Sequence, residues 1–394
     1  MRGDAPRRGL PRRAVVLSIC CLLAADLLVL RRPPSEATAA PMGEPGSRSP
    51  AKAAGNLLTA LVAGALAIHR GPDASAEPSP QAAPPPPPAK RPPAPAASKA
   101  PPAAAPPPAP PLSPPPPPDP LEAYRGLGAW VDLFDFARPG TLPPEVIVDE
   151  LARRGVRTLY LQTARWNSAP DIVHPSHIAT FLTRAHQHGI RVVGWYLPGF
   201  ADIDRDLRRT LALLEFSTPA GDRFDGVAPD IEDRRAVGES RVRFNAGVAE
   251  YSRRLRESVP PGTVLGAIVP DAKNNERAPR YWEGFPWPEI ARFYDVVLPM
   301  AYWSVTKPAC GRITLDAAGY IREVLAKTQA LMGVEKPMHP IGGIADCDTV
   351  REVTLYVQAV KETGSVGGSL YDFATNNANP ARDLFWRELG RLNP

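Results

Sequence analysis

The chain has 394 residues and a formal net charge of +5, and its 51 prolines are distributed very unevenly. The excess positive charge belongs to residues 1–120, which hold 13 basic and 7 acidic residues, whereas residues 121–394 hold 33 and 34. Because the larger part is near neutral and has no stripe of Lys and Arg interleaved with aromatic residues, nucleic-acid binding is excluded from the expected functions.

Two apolar runs stand in residues 1–76. The first, residues 14–30, follows four arginines and resembles either a signal sequence or a short membrane anchor. The second, residues 57–68, precedes Ala74-Ser75-Ala76, which has the small-x-small pattern of a cleavage site. Residues 1–76 are therefore predicted to be a signal or anchor region. The protein is expected to be secreted, or to be held at the membrane by this region if it is not cleaved, in both cases outside the cytoplasm.

Residues 77–120 consist almost entirely of Pro, Ala, Ser and a few Lys. Such a segment cannot bury enough apolar surface to offset the entropy of ordering it, so it is predicted to be a disordered, extended linker. Residues 121–394 can bury a large core, and about 250 residues is the usual size of a single α/β barrel. They are predicted to form one domain, expected to be a monomer.

Short β-rich runs alternate with amphipathic helical stretches from residue 128 onward, which predicts parallel strands joined by helices. The predicted strands are residues 128–134, 158–163, 191–196, 226–231, 264–269, 296–302, 338–344 and 367–373. Gly155 and Gly189 end predicted helices and lead straight into strands. The first strand lacks the glycine-rich phosphate turn of a doubly wound sheet. Eight strands therefore predict a closed (β/α)8, or TIM, barrel.

Aromatic and polar side chains stand at or near the ends of these strands. The carboxyl ends of barrel strands carry the active site, so these residues are expected on one rim. Aromatic faces stack on sugar rings, and carboxylates, amides and guanidinium groups bond to hydroxyls, so the set favours carbohydrate. The alternative is that the aromatics only close the top of the barrel. The predicted substrate-binding residues are Trp130, Asp132, Gln162, Arg165, Trp166, Trp195, Tyr196, Asp271, Lys273, Tyr302, Trp303, Tyr371 and Asp372.

The fourth predicted strand ends in two carboxylates. Alternation along a strand places Ala228, Asp230 and Glu232 on one face. Two neighbouring carboxylates disfavour each other's ionisation, which raises the pKa of one toward the working range of a general acid. Glu232, nearest the strand end, is the predicted proton donor, and Asp230 is its partner. The alternative is that both are neutralised by an inward cation such as Arg165 or Lys273.

This stretch resembles the strand-four signature of the family 18 glycoside hydrolases, the chitinase group, in which Asp-x-x-Asp-x-Asp-x-Glu ends in the catalytic acid. Asp225, Asp230 and Glu232 match the signature, and Ala228 departs from it. The resemblance implies that Glu232 is the acid and that Asp230 orients a substrate's 2-acetamido group as the internal nucleophile. Tyr302 matches the strand-six Met-x-Tyr. The chain is also similar to bacterial glycoside-hydrolase-like barrels that share Phe-Asp-Gly-x-x-x-Asp on strand four.

Two questions about the function stay open at this level. Without substrate assistance, hydrolysis needs a second carboxylate about 5–5.5 Å or 6.5–9.5 Å from the first, and Asp132, Asp271 and Asp372 are the candidates. A different class of function, a non-catalytic carbohydrate-binding or cell-envelope structural barrel, is favoured by Ala228 and by three further departures from the family 18 motifs. Strand three lacks the family's Ser-x-Gly-Gly, Trp303 stands in place of an aspartate, and Tyr371 in place of a tryptophan.

No cofactor or metal is predicted, because only His339 is placed at all suitably for a metal ligand on the rim. A polysaccharide or oligosaccharide is the expected partner. Cys310 and Cys347 follow strands six and seven, and an even number of cysteines fits an oxidising compartment. They are predicted to form a disulfide that braces two neighbouring loops, and the alternative is that they are two unrelated buried thiols.

Overall fold

The computed structural model describes residues 119–306 and 315–394. Segments 1–76 and 77–118 lie outside the described residues, so the predicted signal or anchor region and nearly all of the predicted linker stay predictions. Among the described residues, no helix combines the length and the apolar character needed to cross a membrane.

Eight strands occur in the described chain, one in each segment where a strand was predicted. Their bounds are β1 Gly126–Val131, β2 Thr158–Arg165, β3 Arg191–Leu197, β4 Gly226–Pro229, β5 Gly266–Val269, β6 Val296–Pro299, β7 Ile341–Ile344 and β8 Gly367–Tyr371. All the pairings are parallel. The predicted number and order of strands are confirmed.

The strands close into a ring. Six of them form the ladder β4-β3-β2-β1-β8-β7, and β5 pairs with β6. Single bridges join the two parts: Val227 with Leu265 and Asp230 with Ile268 on one side, and Val297 with Met338 and Met300 with Ile341 on the other. The predicted (β/α)8 barrel is therefore the observed architecture.

Helices connect the strands and cover the outside of the barrel. They are α1 Leu133–Phe136, α2 Pro144–Arg153, α3 Pro175–Gln187, α4 Ile203–Glu215, α5 Arg241–Ser258, α6 Asn274–Arg277, α7 Pro279–Trp282, α8 Trp287–Phe293, α9 Ala317–Met332, α10 Val350–Glu362, α11 Phe373–Ala378 and α12 Arg382–Leu389. Local sequence sets several of these bounds. Thr349 and Glu352 form a capping box at the start of α10. Gly155 and Gly189 have positive φ values just past α2 and α3, as predicted.

The interior of the barrel is filled with side chains and is not a pore. Trp130 stacks on Tyr160 with ring centroids 4.3 Å apart, and Tyr124 closes the lower end by donating a hydrogen bond to the carbonyl of Val227. Gly226 is required here, because a Cβ at this position would lie 2.9 Å from the Tyr124 hydroxyl oxygen. Since the interior is packed, a substrate has room only at the rim.

Candidate active site

The end of β4 directs Asp230 into the barrel mouth. Ala228 belongs to the interior cluster, and Asp230, two residues later, lies on the same face and forms the bridge to Ile268 on β5. The Asp230 side chain is only 7% exposed, and its Oδ1 has no hydrogen-bond partner. Glu232 follows in a turn and is partly exposed. One carboxyl is thus buried and the other can reach a ligand.

Burial and neighbouring carboxylates raise the pKa of both groups. Burial raises the pKa of Asp230 well above its usual range, and Glu232 and Asp233 raise it further. Burial, followed by the charge of Asp233, raises the pKa of Glu232 to about 7, while Arg165 and Arg235 act in the opposite direction. A carboxyl of this kind holds its proton near neutral pH and can still release it.

Asp233 is a contributor that the sequence interpretation did not single out. Burial alone would raise the pKa of Asp233, but hydrogen bonds from Arg235 and Trp166 outweigh it and lower the pKa. The Trp166 indole donates to Asp233 Oδ2 over 3.0 Å, which also fixes the tryptophan at the rim. Asp233 therefore remains ionised beside Glu232. The signal that could have identified it is its place next to Glu232, followed two residues later by Arg235.

A second group of carboxyls gathers where β1 and β8 end. One oxygen each from Asp132, Asp135 and Asp372 lie within 4.8 Å of one another. Tyr371 donates a hydrogen bond to Asp132 Oδ2 over 2.9 Å. Burial, followed by the charges of Asp372 and Asp132, raises the pKa of Asp135 to about 9. Burial and then Asp132 raise the pKa of Asp372 to about 7.

The oxygens of these three carboxyls lie close enough together to hold a cation, but some of them already accept hydrogen bonds that cap helices. Asp132 accepts from the backbone nitrogen of Phe134 and Asp135 accepts from that of Asp132, at the start of α1. Asp372 accepts from the backbone nitrogen of Thr375, at the start of α11. Two of the predicted second carboxylates, Asp132 and Asp372, therefore lie together at the rim and also shape the loops around it.

Tyr302 connects the two groups of carboxyls. Burial raises its pKa well above the usual range, and Glu232, Asp230 and Asp372 add to the rise in that order. Its ring centroid lies 6.0 Å from that of Tyr371. Both tyrosines are only partly buried. The ends of β4, β6 and β8 thus bring their polar side chains into one site, as the predicted rim requires.

Four predicted substrate-binding residues do not face this site. Tyr196 is fully buried on the outer face of β3, where its hydroxyl donates to Asp206 on α4. Trp303 is buried against Tyr356 of α10, with ring centroids 5.3 Å apart. The expectation that Tyr196 and Trp303 lie on the rim is therefore wrong, since each directly follows a residue that faces inward.

Asp271 and Lys273 turn toward α9 and not toward the barrel mouth. Asp271 accepts hydrogen bonds from Arg277, over 2.8 Å, and from Tyr320 of α9. Lys273 pairs with Glu323 of the same helix. These ion pairs remove Asp271 from the candidates for the second carboxylate. They also remove Lys273 as a counter-ion for Asp230 and Glu232.

Three other predicted residues lie beneath the rim. Trp130 is 1% exposed and donates to Ser369 Oγ over 2.8 Å, so it belongs to the barrel core. Gln162 is buried and accepts from the backbone nitrogen of Leu133, which holds the loop after β1. Trp195 is 4% exposed, and its Nε1 has no hydrogen-bond partner. The expectation that Trp130 and Gln162 contact substrate is therefore wrong. Trp130 packs in the barrel core, and Gln162 supports the loop after β1.

Asp225, which matched the strand-four signature, and His339, which was considered as a metal ligand, both have structural roles. Asp225 lies at the opposite end of β4, where it accepts from the backbone nitrogen of Val192 and from His186. His339 is fully buried between Tyr160 and the Tyr124 carbonyl, and burial lowers its pKa to about 4. Neither faces the rim, so Asp225 has no place in catalysis and His339 none in binding a metal there.

The predicted disulfide falls partly outside the described residues. Cys347 lies in a short turn after β7, whereas Cys310 lies in the segment 307–314, which is not described. The pairing of the two cysteines stays a prediction.

Comparison with known proteins supports the fold. No protein-family model matches the chain, and no curated protein matches it either. Among solved structures, it is similar to the spore cortex-lytic enzyme SleL of Bacillus cereus, with 12% identity, a TM-score of 0.50, and coverage of 68% of this chain and 74% of that chain. A chitinase from Bacteroides thetaiotaomicron matches with 12% identity and a TM-score of 0.49, covering 68% and 96% of the two chains. The similarity to SleL is independent evidence for the barrel; at this identity it concerns the fold alone.

Proposed function

We propose that the barrel is a glycoside hydrolase in which Glu232 is the general acid and Asp230 is its partner carboxyl. The observation that carries this proposal is the pair of carboxyls at the carboxyl end of β4, where Asp230 is buried in the barrel mouth and Glu232 is partly exposed. Burial and Asp233 raise the pKa of Glu232 to about 7, which supports it. Catalytic acids need a pKa near the working pH and access to the leaving group. The rim of a (β/α)8 barrel is also the place where its active site is expected.

In the proposed step, Glu232 gives its proton to the glycosidic oxygen while the bond between that oxygen and the anomeric carbon breaks. Arg165 and Arg235 then favour the carboxylate form of Glu232, since both act to lower its pKa. Asp230, with its free Oδ1, accepts a hydrogen bond from the sugar at the reacting centre. If the sugar carries a 2-acetamido group, Asp230 aligns it as the internal nucleophile, as the resemblance to the family 18 enzymes implies. Water completes the hydrolysis.

Aromatic side chains at the rim suit a sugar ring. Trp166, Tyr302 and Tyr371 are each partly exposed beside the two groups of carboxyls. Aromatic faces and hydrogen-bonding groups together are the usual composition of a carbohydrate site. A polysaccharide or oligosaccharide is therefore the proposed substrate. The apolar segments of residues 1–76 support a secreted or membrane-anchored protein, with the barrel outside the cytoplasm.

Turnover of a glycan panel tests the proposal. The full-length protein, its Glu232→Gln variant and its Asp230→Asn variant are incubated with peptidoglycan, chitin oligosaccharides, a galactosaminoglycan and glycans containing hexuronic acid. Released fragments are measured by mass spectrometry. We expect Glu232→Gln to lower kcat by at least about a hundredfold while the fold is retained. Equal product release by Glu232→Gln and the unmodified protein contradicts the assignment.

A non-catalytic carbohydrate-binding barrel is the second candidate. It is favoured by Ala228, which stands where the family 18 signature has a carboxylate, and by the use of Asp132 and Asp372 as helix caps. Binding to a glycan without product release after long incubation supports this alternative.

A further inference from the structure

Arg165 is a cation at the candidate active site that forms no ion pair with any of the described residues. It is the last residue of β2, and its positive charge acts to lower the pKa of Asp132, Asp230 and Glu232. None of these carboxyls forms a salt bridge with it within 4.0 Å. Its Nε is buried and has no hydrogen-bond partner. Arg165 is therefore close enough to interact electrostatically with the three carboxyls, but it forms no salt bridge with any of them.

Arg165, Arg205 and Arg234 each have a buried Nε without a hydrogen-bond partner in the described residues, but Arg205 and Arg234 form ion pairs and Arg165 does not. Arg209 is nearly as buried as the core and bonds to Asp171 over 3.3 Å, and Arg256 bonds to Asp295 over 2.6 Å. A buried donor without a partner costs about 1–3 kcal/mol, so it is retained mainly where a ligand or an ordered water completes it. An arginine kept without a partner at the mouth of the barrel indicates a position reserved for a ligand.

Phe134 holds this guanidinium at the rim. The Arg165 Cζ lies 5.6 Å from the centre of the Phe134 ring, and the Arg138 Cζ lies 4.1 Å from it. Cations over an aromatic face are attracted to it. Arg138 is exposed, and its side chain has no acidic partner in the described residues. Two arginines without carboxylate partners in the described residues thus lie against Phe134, which belongs to the segment that follows β1.

Protonation of the neighbouring acids leaves the charge of Arg165 partly uncompensated. Burial is the largest cause that raises the pKa of Asp230, Glu232 and Asp132. Near neutral pH Glu232, with a pKa of about 7, is partly protonated, and the raised pKa of Asp230 favours its neutral form, so these two groups neutralise only part of the positive charge beside them. The side of the site next to Arg165 is therefore suited to an anion, although acids outnumber bases around it.

We propose that Arg165 binds a carboxylate carried by the glycan, so that the substrate contains a hexuronic acid or a similarly carboxylated sugar beside the bond that is cleaved. The proposal rests on the proposed glycoside hydrolase function and narrows its substrate class. A guanidinium offers two parallel N–H groups that match the two oxygens of a carboxylate. The terminal nitrogens of Arg165, which form no hydrogen bond to the described residues, supply both donors. Arg138 adds positive charge farther along the rim.

Direct binding tests this assignment. The full-length protein carrying Glu232→Gln is titrated calorimetrically with hexasaccharides of hyaluronan, heparosan and polygalacturonate. Each is compared with its carboxyl-reduced counterpart, which keeps the ring and the linkage and loses the charge. The same titrations are made after adding Arg165→Gln or Arg165→Lys. Arg243→Gln, which changes an exposed arginine on α5, is the matched control.

We expect at least one carboxylated glycan to bind about tenfold or more tightly than its reduced form. Arg165→Gln should abolish that preference, and Arg165→Lys should keep only part of it because a single ammonium lacks the planar pair of donors. Arg243→Gln should leave the preference unchanged. If Arg165→Gln does not fold, Arg165→Lys carries the test. Equal binding of charged and reduced glycans, no binding to any charged glycan, or a preference that survives both Arg165 variants overturns the proposal.

The same variants separate this proposal from the proposed function. Hydrolysis of a neutral glycan without any preference for its carboxylated analogue leaves the glycoside hydrolase function standing and refutes the role of Arg165. Arg165-dependent binding of a carboxylated glycan that the unmodified protein does not hydrolyse supports the role of Arg165 and refutes the glycoside hydrolase function for that glycan.

Discussion

Replacing Glu232 with Gln should make the protein more stable at high pH as well as inactive. Burial and Asp233 raise the pKa of Glu232 from its ordinary value of 4.5 to about 7. The folded protein therefore holds this proton at pH values where the unfolded chain has lost it. A carboxyl of this kind lowers the free energy of unfolding as pH rises from about 4.5 to about 7. Gln is neutral at every pH and removes this loss.

The size of the effect follows from the two pKa values. Linkage between them gives a loss of roughly 1 kcal/mol at pH 5 and roughly 3 kcal/mol at pH 8 for the unmodified protein. The stability gained through Glu232→Gln should therefore be about 2–3 kcal/mol larger at pH 8 than at pH 5. Any effect of the amide on packing is the same at both pH values and cancels in this difference.

Urea denaturation of the unmodified protein and of Glu232→Gln, at pH 5 and at pH 8, measures this difference. Glu335→Gln, which changes an exposed carboxylate, is the control, and its effect on stability should not change with pH. If the gain from Glu232→Gln is the same at both pH values, Glu232 is not a carboxyl with a raised pKa. The support that the raised pKa gives to its role as the general acid is then lost.

Three further substitutions test the architecture around the site. Asp206→Ala should lower the free energy of unfolding by on the order of 3 kcal/mol in urea denaturation, because it leaves the Tyr196 hydroxyl and the backbone N–H of Phe200 without their buried acceptor; a loss below about 1 kcal/mol contradicts this. Gly247→Ala should cost about 1–3 kcal/mol in the same assay, since a Cβ there would lie 2.7 Å from the carbonyl oxygen of Phe200, and an unchanged midpoint argues against that contact. Asp271→Asn should lower the melting temperature and leave kcat within about twofold, because this carboxyl is engaged away from the rim; a large loss of kcat returns it to the active site.

The strands were predictable because parallel barrel strands are buried on both faces and read as short apolar runs between helices. Their ends were harder to predict. The first was expected at 128–134, but Asp132 and Asp135 cap each other's backbone and start α1, which ends the strand at Val131. The seventh was expected at 338–344, but Pro340 has no N–H to offer, and the regular strand is Ile341–Ile344.

The candidate site was predictable only where simple alternation holds. Alternation placed Asp230 on the inner face correctly, because β4 is regular up to that residue. It also implies that neighbours such as Trp195 and Tyr196 cannot both face inward, and the prediction overlooked this. Nothing local to Asp271 shows that Tyr320, 49 residues away, turns it outward. On β2, a register shift between residues 162 and 164 breaks the alternation before Arg165, so its direction could not be read from the pattern.

Backbone pairing is less extensive at some points of the ring of strands than at others, so the barrel should open more easily at those points. The pair β5 and β6 joins its neighbours on both sides through single bridges. Opening at these two seams, between β4 and β5 and between β6 and β7, should cost less free energy than opening between β1, β2 and β3. Amide hydrogens of Gly266–Val269 should therefore exchange with solvent sooner than those of β2. A sugar that contacts both Glu232, after β4, and Tyr302, after β6, crosses one seam. Such a sugar should hold the two sides of that seam together, so its binding should slow amide hydrogen exchange at β5 more than anywhere in β2.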